Sequence, residues 1–262
     1  MDAADSWLRR LARSRLDPAE ATGLLLTVAL AVIFLAGLAF GLLAVMVTTR
    51  TGLYRYDAAA AAWGARHATP GTVRLFLVLT QLGSTVVVVT EAVLLGLADV
   101  RRRGRWSAMA FMLMVVLGQN LISNGVKLLV QRDRPPVRPP LSPAGTGFSY
   151  PSGHTTAAAA TYAAIALLLG RGGRWPVRIR LGVAAAAVTV AVAVSRVLLG
   201  VHWLTDVLGG AALGLAWFAV CTAAFGGRLL RFGAPVERAE AEVAAEEGVA
   251  GEADQADEAR GA

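Results

Sequence analysis

Residues 24–47 read LLLTVALAVIFLAGLAFGLLAVMV, without one charged side chain. As a helix rising about 1.5 Å per residue, this stretch reaches across a hydrocarbon layer of roughly 30 Å. It is longer than the apolar core of a secretory signal, about 7–15 residues, and reads as an uncleaved anchor. Five further apolar windows follow, at 73–98, Ser107–Val130, 155–169, 181–199 and 203–225. The fourth is short unless it begins near Ser152. The expected fold is therefore all-α: a polytopic membrane protein built as a six-transmembrane-helix bundle.

The whole chain agrees with that window. Of 262 residues, 56% are hydrophobic and 16% charged, and the mean hydropathy is +0.57. A soluble domain is about 45–50% apolar and about 25% charged. The single cysteine excludes a disulfide scaffold. A net charge of +7 would suggest a nucleic-acid partner in a soluble protein. In an apolar chain it reflects topology, because Arg and Lys collect in cytoplasmic loops. With the N-terminus inside, the cytoplasmic segments carry Arg9, Arg10, Arg13, Arg15, Arg101, Arg102, Arg103 and Arg105 in the first half. They carry Arg171, Arg174, Arg178, Arg180, Arg228, Arg231, Arg238 and Arg260 in the second. The outer segments hold only Arg50, Arg55, Arg66, Arg74, Lys127, Arg132, Arg134, Arg138 and Arg196. Both termini are thus expected in the cytoplasm.

The chain divides into a cytoplasmic segment over 1–23, a six-helix domain over 24–230 and an acidic cytoplasmic tail over 231–262. From Glu237 to Ala262 the tail lacks aromatic residues and reads as disordered. Residues 135–151 hold six of the ten prolines and read as a structured outer loop.

The scarce residue types point to chemistry. Lys127 is the only lysine, and there are three histidines. Three polar clusters fall at expected helix ends on the outer side: Lys127 with Arg134 and Pro135, Pro151-Ser152-Gly153-His154, and Ser195-Arg196 with His202 and Asp206. Lys127, Arg134 and Arg196 offer three positive charges, two of them guanidinium forks suited to phosphate oxygens. Ser152 can cap the helix that opens at Gly153, and the free N–H groups there favour an anion. His202 and Asp206 are four apart, hence on one helical face. A carboxylate beside an imidazole fixes its tautomer and stabilises the cation formed later. Two histidines from different helices can divide the work of nucleophile and acid.

The pattern K-x6-RP, PSGH and SR-x5-H-x3-D resembles the type 2 phosphatidic acid phosphatase (PAP2) superfamily, in its membrane lipid-phosphate phosphatase branch. The likeness runs from about Asn120 to Gly214, with Gly200, Trp203, Val207 and Gly209 also similar to common flanking positions. It implies six transmembrane helices, a site at the outer membrane surface, and metal-independent hydrolysis of a lipid phosphate or diphosphate with no cofactor. By the same resemblance His202 would become a phosphohistidine, Asp206 would orient it, and His154 would be the general acid. Lys127, Arg134, Ser152, Gly153 and Arg196 would hold the phosphate. One departure is Asp133, where members often have proline; it is read as solvent-facing. Three substrates fit: a polyprenyl diphosphate such as undecaprenyl diphosphate, phosphatidylglycerophosphate, or phosphatidic acid. The Arg- and Ala-rich composition suggests a bacterium of high GC content, where an outward site suits recycling of an envelope carrier. The alternatives are phosphotransfer to an acceptor alcohol through the same intermediate, and a lipid or anion transporter with the same cationic pocket. Neither nucleic acid nor a dedicated metal site is expected.

Other residues read as structural. Glu91 lies in the second window, within reach of the Arg101–Arg105 group or the inner surface. Asn120, Asn124 and Lys127 share a helical face and either line the pocket or bond between helices. Cys221 reads as core. The segment from Tyr54 to His67 reads as a short helix on the outer surface, serving as a connector in preference to the alternative of covering lipid substrate.

Overall fold

The computed structural model describes residues 18–104, 106–136 and 147–230, and its regular structure is entirely helical. The long N-terminal helix α1 (Pro18–Thr49) leads through a single 3-10 turn (Gly52–Tyr56) into the short helix α2 (Asp57–Arg66). Then come α3 (Pro70–Gln81), α4 (Thr85–Arg103), α5 (Ser107–Val130), α6 (Gly153–Leu169), α7 (Trp175–Leu198) and α8 (Leu204–Leu230). The acidic tail, the first 17 residues and most of the proline-rich loop lie outside the described residues.

Four helices are long and apolar enough to cross a bilayer alone: α1, α5, α7 and α8. The second window was expected as one helix. It is two, α3 and α4, bent by 43° at Leu82–Ser84, and together they make a fifth candidate span. The break has a local cause. Ser84 is the N-cap of α4 and accepts from the Val87 amide, which starts a new helix there. The Leu82 carbonyl, freed by the break, accepts instead from the Tyr162 hydroxyl of α6 at 3.1 Å. The fifth window begins earlier than its apolar run, because Pro176 opens α7 just after Trp175.

The shorter apolar helix α6 has 17 residues and would reach about 26 Å. It sits inside the bundle, with every residue from Thr155 to Thr161 buried. Alanines and glycines allow this close packing. A Cβ on Gly214 of α8 would lie 2.5 Å from the Thr156 carbonyl oxygen, and one on Gly210 would lie 2.7 Å from that of Ser152. Phe111, Met112 and Val115 of α5 complete the core with Val88 and Ala92 of α4, Ala160 and Ala164 of α6, and Cys221 of α8. Outward, the bundle shows an apolar belt: Phe34 and Leu35 on α1, Leu121 and Leu129 on α5, Val86 on α4. A belt of this kind suits lipid, not water.

Candidate active site

All eight residues singled out in the sequence gather at one end of the bundle. The C-terminal turn of α5 brings Lys127, and the loop after it brings Arg134. The N-terminus of α6 brings Gly153 and His154. The last turn of α7 brings Arg196, and the short link to α8 brings His202. These six line one cavity of about 470 Å³. The α6 N-terminus and Lys127 are in close contact: a Cβ on Gly153 would lie 3.5 Å from the Lys127 Nζ.

The two arginines are fixed by partners that leave their charge uncancelled. Arg134 donates from Nε to the Gly147 carbonyl at 3.0 Å and from Nη1 to the Val201 carbonyl at 2.9 Å. Arg196 is 5% exposed and donates from Nη1 to Thr80 Oγ1 at 2.9 Å, while its Nε is buried without a partner. That unsatisfied donor beside the cavity suits an anionic ligand oxygen. The Arg196 carbonyl in turn accepts from the Val201 and His202 amides, both at 3.2 Å, which ties the nucleophile candidate to the end of α7.

Ser152 and Asp206 stand behind the cavity and do not line it. Ser152 is the N-cap residue of α6, yet its side chain makes no capping bond to the backbone. Its hydroxyl instead accepts from Thr155 Oγ1 at 3.1 Å. Its amide donates to the Asp206 carbonyl at 3.0 Å, which joins the starts of α6 and α8. Asp206 Oδ2 accepts from the Trp203 amide at 2.9 Å and faces His202 Nδ1 at 3.3 Å. A proton on Nδ1 completes that contact, so Nε2 keeps its lone pair. Burial pushes the His202 imidazole down from 6.5 to about 4, against the opposing pull of the Asp206 carboxylate. The ring is therefore neutral at neutral pH, as a nucleophile must be.

Two residues were not anticipated in this role. Arg132 donates from Nη1 to Asp206 Oδ1 at 2.6 Å and to Thr205 Oγ1 at 2.7 Å. Its Nη2 donates to Asp57 Oδ2. Its guanidinium lies 5.1 Å from the Tyr54 ring centroid and 5.2 Å from that of Trp203. Asp57, the first residue of α2, also accepts from the Thr205 amide at 2.9 Å and its hydroxyl at 2.7 Å. The 54–67 segment is thus more than a connector, since it sends a buried carboxylate to the site. A signal was present: Asp57 is the only acidic residue between Glu20 and Glu91.

Asn120 and Asn124 line the same cavity, so the pocket reading holds for both, and Asn124 Nδ2 donates to Asn120 Oδ1 at 2.7 Å. Asp133 is exposed, as expected. Its carbonyl serves the site's outer rim, accepting from Trp203 Nε1 at 2.8 Å and Ser149 Oγ at 2.9 Å. Glu91 finds a different partner from those expected: Oε1 lies 3.1 Å from the Tyr162 hydroxyl. His67, the third histidine, is exposed and bonds through Nδ1 to the Trp63 carbonyl at 2.8 Å, outside the cavity.

Comparison with known proteins places this geometry. The model of the PAP2 superfamily matches residues 107–229. The chain is 34% identical to phosphatidylglycerophosphatase B of Bacillus subtilis over 142 residues, which is 53% of this chain and 68% of that protein. It is 33% identical to a lipid A 1-phosphatase of Rhizobium johnstonii over 122 residues, 44% of this chain and 46% of that one. The fold is similar to the crystal structure of a transmembrane PAP2-type phosphatidylglycerolphosphate phosphatase from Bacillus subtilis. The TM-score is 0.67 at 28% identity, covering 75% of this chain and 96% of the other.

Proposed function

Because the chain belongs to the PAP2 superfamily of membrane lipid phosphatases, we propose that it hydrolyses a lipid phosphate or diphosphate through a phosphohistidine at His202. The observation that carries this reading is the cavity itself: two imidazoles and three cations face one space, with a carboxylate behind one of the imidazoles. The phosphate rests among Lys127, Arg134, Arg196 and the N-terminus of α6, with Gly153 letting the backbone approach and Ser152 holding that turn. These donors stabilise the equatorial oxygens as charge shifts toward the leaving group. His202 Nε2 attacks phosphorus in line, the bond to the lipid oxygen breaks, and that oxygen takes its proton from His154, which the negative charge of the bound phosphate holds in its protonated form. Water then attacks the phosphohistidine, His154 takes the water's proton, and the phosphorus–nitrogen bond breaks. Asp206 holds the ring and balances its positive charge throughout.

In this reading the site opens on the outer leaflet, both chain ends are cytoplasmic, and the tail of the lipid stays in hydrocarbon. Six crossings follow if α6 and the bent α3–α4 pair each count as one. The activities for which the relatives are named support a lipid bearing a terminal phosphate. Three side-chain cations supply the charge that a metal would otherwise bring, and the proposed reaction is metal-independent.

The test is phosphate release from lipid phosphates by the purified enzyme in detergent. His202→Ala and His154→Ala should each lose about 10³-fold or more. A ³²P-labelled substrate quenched in alkali should leave label on the wild-type protein and none on His202→Ala. Near wild-type turnover by either variant, or activity abolished by a chelator and restored by a divalent ion, would refute the mechanism.

A further inference from the structure

The network behind His202 carries more negative charge than positioning requires. Asp206 and Asp57 share the guanidinium of Arg132, and all three side chains are buried, at 0%, 3% and 9% exposure. With Arg132 and Asp206 alone, one cation would cancel one carboxylate. The Asp206 charge, which stabilises a positive His202 ring, would then be largely spent on Arg132. The second carboxylate changes that balance. Asp57 faces the other guanidinium nitrogen and is held in place by the Thr205 amide and hydroxyl. The trio is left with one uncompensated negative charge. Tyr54 and Trp203 cover the guanidinium and limit its screening by water.

We propose that Asp57 is a positioning residue whose charge keeps Arg132 from neutralising Asp206, so that the Asp57–Arg132–Asp206 trio and His202 together are neutral only when the His202 ring is cationic. This rests on the phosphohistidine reading above. Attack by Nε2 on phosphorus, with Nδ1 still protonated, makes the ring an N-phosphorylated imidazolium. Its new positive charge faces Asp206 Oδ2. Loss of phosphate to water returns the ring to neutral. The network thus favours the charged intermediate and the transition states beside it without touching substrate, and its effect belongs in kcat and not in KM.

The experiment compares wild type with Asp57→Asn in the full-length protein in detergent, reading kcat, KM, and the pH dependence of kcat/KM. Asparagine keeps the shape and the acceptor for Thr205 and removes only the charge. The expected result is a fall in kcat of about 10- to 100-fold with KM within about threefold of wild type. The acid limb of kcat/KM should also move to lower pH, by about half a unit or more, because the protonated His202 ring has lost a stabilising charge. The groups facing that ring are Asp206 from α8, Arg196 from α7, Arg134 from the loop before α6 and His154 from α6. None of them changes in this variant. A purely structural Asp57 would lower the active fraction without moving the limb.

Asp57→Glu and Asp57→Gln give the same contrast should Asp57→Asn fail to fold: the Glu variant should keep the wild-type limb and the Gln variant should shift it. A wild-type kcat in Asp57→Asn, or an unmoved limb in the charge-removing variants, overturns the proposal while leaving the phosphatase reading intact. A wild-type protein that releases no phosphate from any lipid overturns that reading, and this inference with it.

Discussion

His202 has one ring edge committed to Asp206 and one edge facing the cavity, and burial keeps it neutral down to about pH 4. The sign follows directly. A nucleophile must be unprotonated, so activity is present above the ring's value and lost as pH falls through it. In the free enzyme the acid limb of kcat/KM assigned to His202 should therefore lie near pH 4, well below the 6.5 of an ordinary histidine. A limb at 6–7 that survives correction for ionisation of the substrate phosphate would contradict the burial seen here. Arg132 makes a second prediction at this scale. Its two guanidinium nitrogens reach different carboxylates, a task no ammonium can copy. Arg132→Lys should lose nearly as much kcat as Arg132→Gln, and both should unfold more readily. Removing one partner from a buried ion pair costs about 3–5 kcal/mol, which thermal denaturation in detergent would register. Legibility in the sequence followed scarcity. Lys127, His154 and His202 stood out because the chain has so few of their kind, and the structure brings them to one cavity. Asp57 was equally isolated, but it had no partner at a helical spacing. Its partners, Arg132 and Thr205, lie more than seventy residues away, and only tertiary folding unites them.

Between helices, the critical contacts involve atoms that glycine does not have. Gly83 sits at the break between α3 and α4, where a Cβ would approach the His154 carbonyl oxygen to 2.5 Å. Gly210 presses on the Ser152 carbonyl in the same way from α8. Both brace the N-terminus of α6, where the phosphate is expected. Gly83→Val and Gly210→Val should therefore damage activity and stability together, with overpacking costing about 1–3 kcal/mol each. Gly182 of α7 is the contrast, since nothing lies within 4 Å of its added Cβ. Gly182→Ala should be neutral, or stabilising by up to about 1 kcal/mol through helix propensity. A melting series of the three variants checks the ranking, and a Gly210→Val protein as stable as wild type would contradict it. Apolar periodicity marked where the helices lie. It missed the α3–α4 break because Leu82, Gly83 and Ser84 do not interrupt hydropathy enough to show. The break is set by the Ser84 cap, and the Leu82 carbonyl that it frees finds its partner on α6.

Across the molecule, charge and chemistry occupy opposite ends. The proposed catalytic cluster collects at the ends of α5 and α7 and the starts of α2, α6 and α8. The C-terminus of α4, with Arg101, Arg102 and Arg103, lies at the other end beside the α6–α7 turn, where Arg171 senses both Asp99 and Arg103. By the positive-inside rule that arginine-rich end is expected in the cytoplasm. Single-cysteine labelling in intact cells tests it. In a Cys221→Ser background, Arg66→Cys should react with an impermeant maleimide, and Arg102→Cys should react only after lysis. The reverse pattern would invert the topology and put the active site inside. The expected sidedness rests on a charge bias alone, and this labelling tests it. The bundle itself was legible from its apolar windows, because a membrane core forbids most alternatives.

The boundary of the matched family region at residue 107 also has a practical meaning. The carboxylate of Asp57 arrives from fifty residues before it, on a helix that looks dispensable. Anyone grafting the front of one such enzyme onto the back of another would be exchanging half of an electrostatic lock. A chimera whose donor lacks an acid at this position inherits Arg132 without its counterweight. It should fold and insert, yet turn over slowly, until that one acid is restored.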